Sequence, residues 1–279
     1  MMAVVLAALT ACEKPDIGDA KSSGSGNVTV TFSPYSMTTR AASDIREAMT
    51  KANLMVFNAG TSTKVLDKVR TQTADDADFG TMSLSLATGS YDVLCVGHSS
   101  TRSATLAKDK VSFTAYQGRK ITDTFWNMLR IDVGEDDQTV QMTLDRATAM
   151  FRLVIEDETP ASVTHFKFDY KGGSADFNPN NGNGVTNSQQ SELRDLNEES
   201  IYEIYTFPKD NGKLTVTAYA LDANEAIVSQ RVFENVPVKA KTITTYKGKF
   251  FDGASGTVSG TQIGISVNDQ WEEVNTYTF

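Results

Sequence analysis

The sequence has few of the residues that carry catalysis or hold metals. It contains two histidines, His98 and His165, and two cysteines, Cys12 and Cys95, in 279 residues. No cysteine or carboxylate series surrounds either histidine at zinc-ligand spacing, and no Gly-x-Ser-x-Gly elbow or glycine-rich phosphate loop is present. His165 alternates with Phe166 on a predicted strand and is expected to face solvent. We therefore predict a protein that is not an enzyme, with no catalytic residues, no cofactor and no metal.

A basic patch is also lacking. The chain has 26 Lys and Arg residues against 35 Asp and Glu, a formal net charge of −9, and the positive charges do not cluster. Nucleic-acid partners need a basic surface that neutralises phosphates. The composition, with 40% hydrophobic and 22% charged residues, is that of a folded globular body and argues against nucleic acid as a partner.

One segment resembles part of a calcium-binding loop. Asp176-x-Asn178-x-Asn180 matches the first three ligand positions, but Asn181 stands where such a loop needs glycine and Asn187 where it needs a bidentate glutamate. Segments rich in Asn and Gly usually form turns. We expect a turn here and no metal site.

The sequence does contain a short apolar run, Ala3 to Leu9, which ends in Leu9-Thr10-Ala11-Cys12. A run this short is typical of a secretory signal and not of a membrane-spanning helix. The junction resembles the bacterial lipobox, which implies removal of residues 1–11 and lipidation of Cys12. No Lys or Arg precedes the run, which a start codon assigned too late would explain. The alternative is a hydrophobic first strand that contains a cysteine by chance.

Residues 12–26 are predicted to form a lipidated flexible tether. The segment is rich in Gly, Ser, Asp and Ala, so it cannot bury enough apolar surface to offset its ordering entropy. Two or three acyl chains, with roughly 0.8 kcal/mol for each buried methylene, would attach Cys12 stably to a membrane. Cys95 would then have no disulfide partner. Because it lies in the strand-like run Tyr91 to Val96, we expect it to be a small buried hydrophobe.

Most of the remaining chain alternates between polar and apolar residues at the period of β-strands. One short amphipathic helix is predicted after the N-cap Ser43, with Ile45, Ala48, Met49 and Ala52 on one face. Gly172 to Asn187 is predicted to be a long loop. Strands are predicted at Asn27–Ser33, Asn53–Asn58, Met82–Ala87, Tyr91–Val96, Lys110–Ala115, Gln138–Leu144, Ala149–Glu156, Val163–Tyr170, Ile201–Phe207, Lys213–Leu221, Ile227–Phe233, Ile243–Phe251 and Thr261–Val267.

Short strands separated by turns, with almost no helix, indicate β-sandwiches. One strong turn signal is Pro208-Lys209-Asp210-Asn211-Gly212. The chain length suits two domains of ordinary size. We predict an all-β protein with two tandem β-sandwich domains, at residues 27–145 and 146–279.

Several segments, in order along the chain, resemble the FimB-type fimbrial anchor and fimbrillin lipoproteins of Bacteroides-like bacteria. They are Leu54 to Gly60 after the short helix, Tyr91 to Gly97, the junction Leu144-Asp145-Arg146-Ala147 followed by an apolar strand and Thr159-Pro160, and Asn235 to Val238 with Thr242 to Gly248. The resemblance implies two tandem transthyretin-like sandwiches and export as a lipoprotein to the outer membrane. It also implies a role in building or anchoring surface fimbriae and in cell adhesion. The resemblance further implies that the subunit joins its fimbrial neighbours by exchanging a β-strand with them.

Strand exchange needs a donor with strict period-two patterning and an acceptor with an open apolar groove. Asn27 to Ser33 and Thr261 to Val267 both have the donor pattern, although each is more simply a strand of its own domain. Arg40 lies in the uncharged segment Thr38 to Ala42. In polymerising relatives, cleavage after an arginine removes the first strand together with the lipid, so Arg40 is a candidate processing site; a solvated arginine is the alternative.

Three hypotheses follow for the function. The first is a fimbrial anchor or accessory subunit, and the second is a polymerising or tip fimbrillin that is processed at Arg40. The third is a surface lipoprotein that binds glycans, which would need exposed aromatic side chains. The only tryptophans are Trp126 and Trp271, and each is expected in a core or at an edge, so this hypothesis ranks last.

Overall fold

The fold is almost entirely β-structure. The computed structural model describes residues 24–34, 45–113, 121–252, 256–258, 261–263, 271 and 273–279. Within those ranges the one α-helix is α1, Ile45–Ala48. Cys12, Arg40 and residues 264–267 of the predicted last strand lie outside the described residues.

Nine strands form the first part of the fold. They are β1 (Ser25–Pro34), β2 (Lys51–Asn58), β3 (Arg70–Thr73), β4 (Thr81–Ala87), β5 (Gly89–His98), β6 (Ala104–Leu106), β7 (Val111–Phe113), β8 (Thr124–Val133) and β9 (Gln138–Arg146).

Seven of these strands make the N-terminal sandwich, in the order β3-β2-β5-β8-β9-β1-β4. Strands β8 and β9 pair only at their ends, where Phe125 lies opposite Arg146 and Trp126 opposite Asp145. The sheet turns over at this point into two leaves, β3-β2-β5-β8 and β9-β1-β4. Both leaves contribute to one core, in which Val30 faces residues such as Leu54 and Val93.

The second part of the fold contains eleven strands in the described ranges. They are β10 (Ala149–Ile155), β11 (His165–Lys171), β12 (Asp176–Phe177), β13 (Gln189–Asp195), β14 (Ile201–Thr206), β15 (Lys213–Leu221), β16 (Ile227–Pro237), β17 (Thr242–Gly248), β18 (Gly256–Val258), β19 (Thr261–Ile263) and β20 (Glu273–Thr278).

Two five-stranded sheets make the C-terminal sandwich, in the orders β14-β10-β17-β20-β19 and β13-β11-β15-β16-β18. Their core is rich in aromatic rings. Phe151 lies 5.4 Å from Phe233, and Phe166 lies 4.5 Å from Tyr202, measured between ring centroids. Such pairs contribute about 0.5–1.5 kcal/mol each beyond the burial of their area. The prediction of an all-β fold with tandem sandwiches is confirmed.

The leaf β2-β5-β8 is buried on both faces except at the end of β8, where Arg130 and Asp132 are exposed. In β2, Leu54 and Val56 point into the core of the N-terminal sandwich. Met55 and Phe57 point the other way, into a second cluster. That cluster also takes Phe207 from the C-terminal sandwich. We call it the interdomain cluster: the residues Met55, Phe57, Leu94, Val96, Ala104, Leu106, Val111, Ile121, Ala147, Ala175, Phe177 and Phe207.

A chain of aromatic rings crosses the interdomain cluster. His98 meets Phe113 at 5.1 Å, Phe113 stacks on Phe207 at 5.7 Å, and Phe207 lies 4.8 Å from Phe177. Phe177 in turn lies 5.9 Å from Trp126. The chain of rings therefore passes from the first part of the fold to the second and back, and it joins the two parts through apolar contact.

The segment from Gly172 to Asn187 is not simply the loop that the sequence predicts. It contains β12, which pairs with β7 of the first part of the fold, with Phe177 opposite Val111. Strands β12, β7 and β6 form a three-stranded sheet. The prediction was wrong at this point because it followed the Asn and Gly content of the segment and gave no weight to Phe177. This ring is fully buried and holds the segment against the first part of the fold.

The predicted helix is too long. Helix α1 ends at Ala48, and Ala52 belongs to β2, where it is fully buried opposite Gly97. Met49 is fully buried between the two elements. The helical spacing of these apolar residues arises because a single turn of helix and the start of a doubly buried strand both face the core.

Strand β8 was not predicted because the first half of the strand is apolar on both faces. Phe125 points into the core of the N-terminal sandwich, while Trp126 and Met128 pack against the interdomain cluster. Polar and apolar residues alternate only in the second half of the strand, where Arg130 and Asp132 are exposed. The prediction also missed β13 and β20, and it placed the last strand too early, since β20 follows β19.

The predicted turn before β15 is confirmed, with Asn211 at φ 55°.

His98 is a buried histidine on the face of β5 that points to the interdomain cluster. The backbone N–H of Ser100 donates to Nδ1 at 3.1 Å, so Nε2 carries the proton and donates to Oδ1 of Asn53 at 2.8 Å. Burial, with a smaller contribution from the charge of Lys51, lowers the pKa of His98 to about 3. The ring is therefore neutral in the folded protein near neutral pH.

We predict that His98 makes the protein less stable in acid. The unfolded chain takes up a proton on this side chain below about pH 6.5, whereas the folded chain does so only near pH 3. The free energy of unfolding should fall by up to about 1.4 kcal/mol for each pH unit below 6.5. Chemical denaturation between pH 7 and pH 4.5 measures this slope.

The variant His98→Gln should flatten the slope between pH 6.5 and pH 5, because glutamine has no charge to gain. The matched control is His165→Gln, which removes the half-buried histidine at the start of β11 and should keep the wild-type slope. An equal slope in wild type and His98→Gln would contradict the prediction.

Candidate functional site

Strand β1 lies inside its sheet and not at an edge. It pairs with β4 in antiparallel orientation, with Thr29 opposite Ser83. On its other side it pairs with β9 in parallel orientation, with Val30 opposite Val140. Both rows of backbone hydrogen-bonding groups are therefore used within the chain.

The side chains of β1 alternate as the sequence predicts. Val28 and Val30 are fully buried and Phe32 is 2% exposed, while Thr29 and Thr31 lie on the outer face and are half-buried. Burial of each large apolar side chain contributes roughly 1.5–3 kcal/mol. Without β1, the N-terminal sandwich would keep an apolar groove between β4 and β9, with unpaired backbone groups on both sides.

The start of β1 is fixed by two turns of the sandwich. The N–H of Thr88, between β4 and β5, donates to the carbonyl oxygen of Gly24 at 2.8 Å. The N–H of Asn27 donates to Oδ1 of Asp137, between β8 and β9, at 3.2 Å. The chain that precedes β1 therefore joins the sandwich at one defined place.

The second predicted donor segment lies at the end of the fold. Strand β19 is the outermost strand of its sheet and pairs antiparallel with β20, with Thr261 opposite Thr278. Strand β20 runs parallel to β17, with Thr245 opposite Thr276. The segment therefore pairs with its own sandwich, which is the simpler of the two interpretations that the sequence allows.

The end of the chain is packed into the C-terminal sandwich. Tyr277 stacks on Tyr246 at 4.9 Å, and Phe279 meets Phe233 edge-on at 5.2 Å. Gly248 makes this possible, because a Cβ atom there would lie 2.1 Å from the carbonyl oxygen of Phe279. Every larger residue at this position would displace the last residue of the chain.

Asp157 holds the segment that leads to β18. Its carboxylate accepts the backbone N–H groups of Phe250, Phe251 and Asp252 at 2.7, 2.6 and 2.9 Å. Burial alone would raise the pKa of Asp157, but these three donors favour the charged form and the net shift is downward. The carboxylate is therefore a fixed anion that positions the chain after β17.

Arg146 connects the two sandwiches and the C-terminal segment. Its guanidinium donates from Nε to Oδ1 of Asp123 at 2.8 Å and from Nη2 to Oδ2 at 2.7 Å. Its Cζ lies 4.9 Å from the ring centre of Phe125 and 4.0 Å from that of Trp271. Thr148 donates its hydroxyl to the same Asp123 at 2.8 Å. Trp271 is 8% exposed, so it presents no aromatic platform to solvent.

The structure places the remaining candidate residues away from any common site. Cys95 is fully buried, as predicted, and burial raises the pKa of its thiol. Trp126 is half-buried against Phe177. Asn178 accepts from the N–H of Asn180 at 2.9 Å within a turn. In the described ranges of the chain, no three His, Cys, Asp or Glu residues are grouped to hold a metal.

The sequence singled out Arg146 only as part of a junction, and it predicted Trp271 in a core or at an edge, which agrees with its burial. It missed Asp123 altogether. The one available signal is that Arg146 is the last residue of a strand with an apolar inner face, because a cation that becomes buried there needs a carboxylate partner. The partner itself could not be identified from spacing.

The part of the chain that the structure describes contains no helix that is long and apolar enough to span a membrane.

Comparison with known proteins gives a family match over nearly the whole chain. The family model of the fimbrillin-A associated anchor proteins Mfa1 and Mfa2 matches residues 12–277. A search of curated proteins found no match.

Solved structures also resemble the chain, at low identity. A candidate adhesin of Bacteroides ovatus shares 17% identity over 74% of this chain and 75% of its own, with a TM-score of 0.49. The fimbrial anchor protein Mfa2 of Porphyromonas gingivalis shares 10% over 74% and 81%, with a TM-score of 0.44. The tip fimbrial protein Mfa3 of the same species shares 9% over 75% and 81%, with a TM-score of 0.37.

We predict that Arg146→Lys destabilises the protein by roughly 2 kcal/mol, because lysine loses both the two-pronged contact with Asp123 and the stacking on Trp271. Urea denaturation followed by tryptophan fluorescence measures the loss. The matched control is Arg152→Lys in β10, whose partner Glu203 is 32% exposed; exposed pairs contribute less than about 1 kcal/mol. Equal losses in the two variants would contradict the role given to Arg146.

Proposed function

Because the chain belongs to the family of fimbrillin-A associated anchor proteins Mfa1 and Mfa2, we propose that it is an outer-membrane lipoprotein that anchors or assists a fimbria at the cell surface. The family accounts for a fimbrial, surface-associated role in adhesion that involves other fimbrial subunits. The proposal adds the lipid on Cys12 as the means of attachment and strand exchange as the means of subunit contact.

The observation that carries the proposal is the extent of the family match. It begins at Cys12 and ends at residue 277. Cys12 is the residue that the lipobox resemblance places first in the mature chain. The role we propose is one of binding, as the match to a family of anchor proteins supports.

Strand exchange is supported by how β1 is held. In a subunit that loses β1, a partner strand with the same alternation can take its place, because it restores the same burial and hydrogen bonds. In an anchor that keeps β1, a partner strand can pair instead with the outermost strands of the described sheets, such as β13 and β19.

The second candidate is a polymerising or tip subunit that is cut after Arg40. The place of Arg40 in the chain favours it, since the residue lies between the end of β1 at Pro34 and the start of α1 at Ile45. One cut would therefore separate β1 and everything before it from the rest of the sandwich. The anchor keeps this segment and its lipid, whereas the polymerising subunit loses both.

Glycan binding through tryptophan platforms remains the last of the three hypotheses. Trp271 is stacked on Arg146 and Trp126 is packed against Phe177, so neither ring is free to receive a sugar face.

We predict that the protein extracted from membranes of its native host begins with acylated Cys12. N-terminal mass spectrometry measures this directly, and Cys12→Ser should abolish both acylation and membrane recovery. The control is Cys95→Ala, which removes the other thiol and should leave acylation unchanged. A native N-terminus at Ala41 would contradict the anchor assignment and support the polymerising subunit. An unmodified Cys12 at the N-terminus would contradict lipid anchoring.

We also predict that a disulfide between β1 and β4 separates the two candidates. Thr29 and Ser83 are directly opposite, with 3.5 Å between their hydroxyl oxygens, so Thr29→Cys with Ser83→Cys can lock β1 in its groove. An anchor that keeps β1 should still attach fimbriae when locked. A polymerising subunit should fail to assemble until a reductant opens the bond.

The single variant Thr29→Cys is the control, since it changes the same surface without closing a bond. Loss of fimbriae in the locked protein, with recovery on reduction, would show that β1 must leave its groove and would contradict the anchor assignment.

A further inference from the structure

A lysine-lined hollow lies at one end of the outer face of the sheet β13-β11-β15-β16-β18. Its volume is about 400 Å³, within the range of small-molecule sites. We call it the lysine concavity. It is lined by Lys171, Gly172, Asn187, Ser188, Gln189, Lys213 and Thr215.

Sheet register places these side chains together. Lys171, at the end of β11, lies opposite Gln189 of β13 and opposite Thr215 of β15. The alternation of burial along β11 and β15 puts Lys171, Lys213 and Thr215 on the face that points away from the core. Residues diagonal to one another across two strands are close enough for long side chains to meet, and both lysines line the same hollow.

Gly172 brings the two lysines close to each other. Its φ is +102°, and a Cβ atom at this position would lie 2.1 Å from the carbonyl oxygen of Lys213. Only glycine permits this approach of the two chain segments. The backbone geometry at the end of β11 therefore sets the width of the concavity.

The positive charge of the concavity has no carboxylate to neutralise it among the residues that line it. Along the outer face of β11, Asp169 binds Lys167 at 3.0 Å, which leaves Lys171 without an acidic partner in the described part of the chain. Lys213 likewise has none there. The protein as a whole has a formal net charge of −9, whereas the lining of this hollow contains two lysines and no acidic residue. The local charge is therefore opposite in sign to the net charge.

Polar groups surround the two lysines. Lys209 donates to Oδ1 of Asn187 at 2.6 Å, which adds a third ammonium at the rim and leaves the amide nitrogen of Asn187 as a donor. Ser188 accepts from the N–H of Ala175 at 2.7 Å, so its own hydroxyl hydrogen is available. No aromatic or large apolar side chain lines the concavity, so it does not suit an apolar ligand.

We propose that the lysine concavity binds a small acidic saccharide, that is, a hydroxylated ring that carries a carboxylate or sulfate group. Lys171 and Lys213 pair with the anionic group, since ammonium groups bind such oxyanions as compact charges. Asn187, Gln189 and Thr215 form hydrogen bonds with the ring hydroxyls. The site is separate from β1 and from the lipid on Cys12, so it stands independently of the anchoring role.

The test is isothermal titration calorimetry of the full chain at low salt with sodium glucuronate, glucose and sodium sulfate. We expect glucuronate to bind with millimolar affinity and glucose not to bind. The double variant Lys171→Gln with Lys213→Gln should weaken glucuronate binding at least tenfold. Because both lysines are exposed, thermal unfolding should remain as in wild type and so exclude a folding defect.

The matched control is Lys167→Gln, which removes a lysine from the same face of the same strand but one that already binds Asp169. It should leave glucuronate affinity unchanged. The proposal is overturned if glucuronate does not bind, or if Lys167→Gln weakens binding as much as the double variant. Sulfate binding as tight as that of glucuronate would overturn recognition of the sugar ring and leave only a site for free oxyanions.

Discussion

The whole structure depends on one leaf of sheet, β2-β5-β8, that is covered on both of its faces over most of its area. In β2, successive side chains such as Leu54 and Met55 enter two different cores, and β5 continues the pattern with Val93 and Leu94. The buried charge that β5 does carry, Asp92, is paired with Arg130 and Lys108, since an unpaired buried charge is strongly destabilising. The leaf therefore requires the C-terminal sandwich as a cover, and Phe207 supplies part of it. The two sandwiches are one body because they share this leaf.

Arg146 is the polar counterpart of that apolar contact. It lies where the sheet turns over between its two leaves, and it binds Asp123 while its guanidinium stacks on Trp271. One side chain thus ties the end of the N-terminal sandwich to a residue from the far end of the sequence. The arrangement makes the C-terminal segment part of the interface between the sandwiches.

A strand could be predicted from the sequence where one of its faces is directed to solvent, because polar and apolar residues then alternate. Strand β1 was found for this reason, since Thr29 and Thr31 alternate with buried residues. Strand β8 was missed because its first half is apolar on both faces, with Phe125 in one core and Trp126 against the other. Strand β13 was missed because its inner face is polar: Glu192, 1% exposed, accepts from the hydroxyl of Tyr170 at 2.7 Å. For the candidate site, alternation identified the strand but not its partners. Pairing of β1 with β9, like the contact of Arg146 with Trp271, joins residues that no local pattern relates.

The parallel pairing of β1 with β9 has a mechanical consequence. A pull on the chain ahead of Ser25, directed along the strand, acts on a segment that is bonded on both sides, to β4 and to β9. Those bonds run across the direction of such a force, so they are loaded in shear and must break together; they cannot open one at a time as in a zipper. Three buried side chains, Val28, Val30 and Phe32, would have to slide out of the core in the same event. The first strand of the fold is therefore built to carry tension.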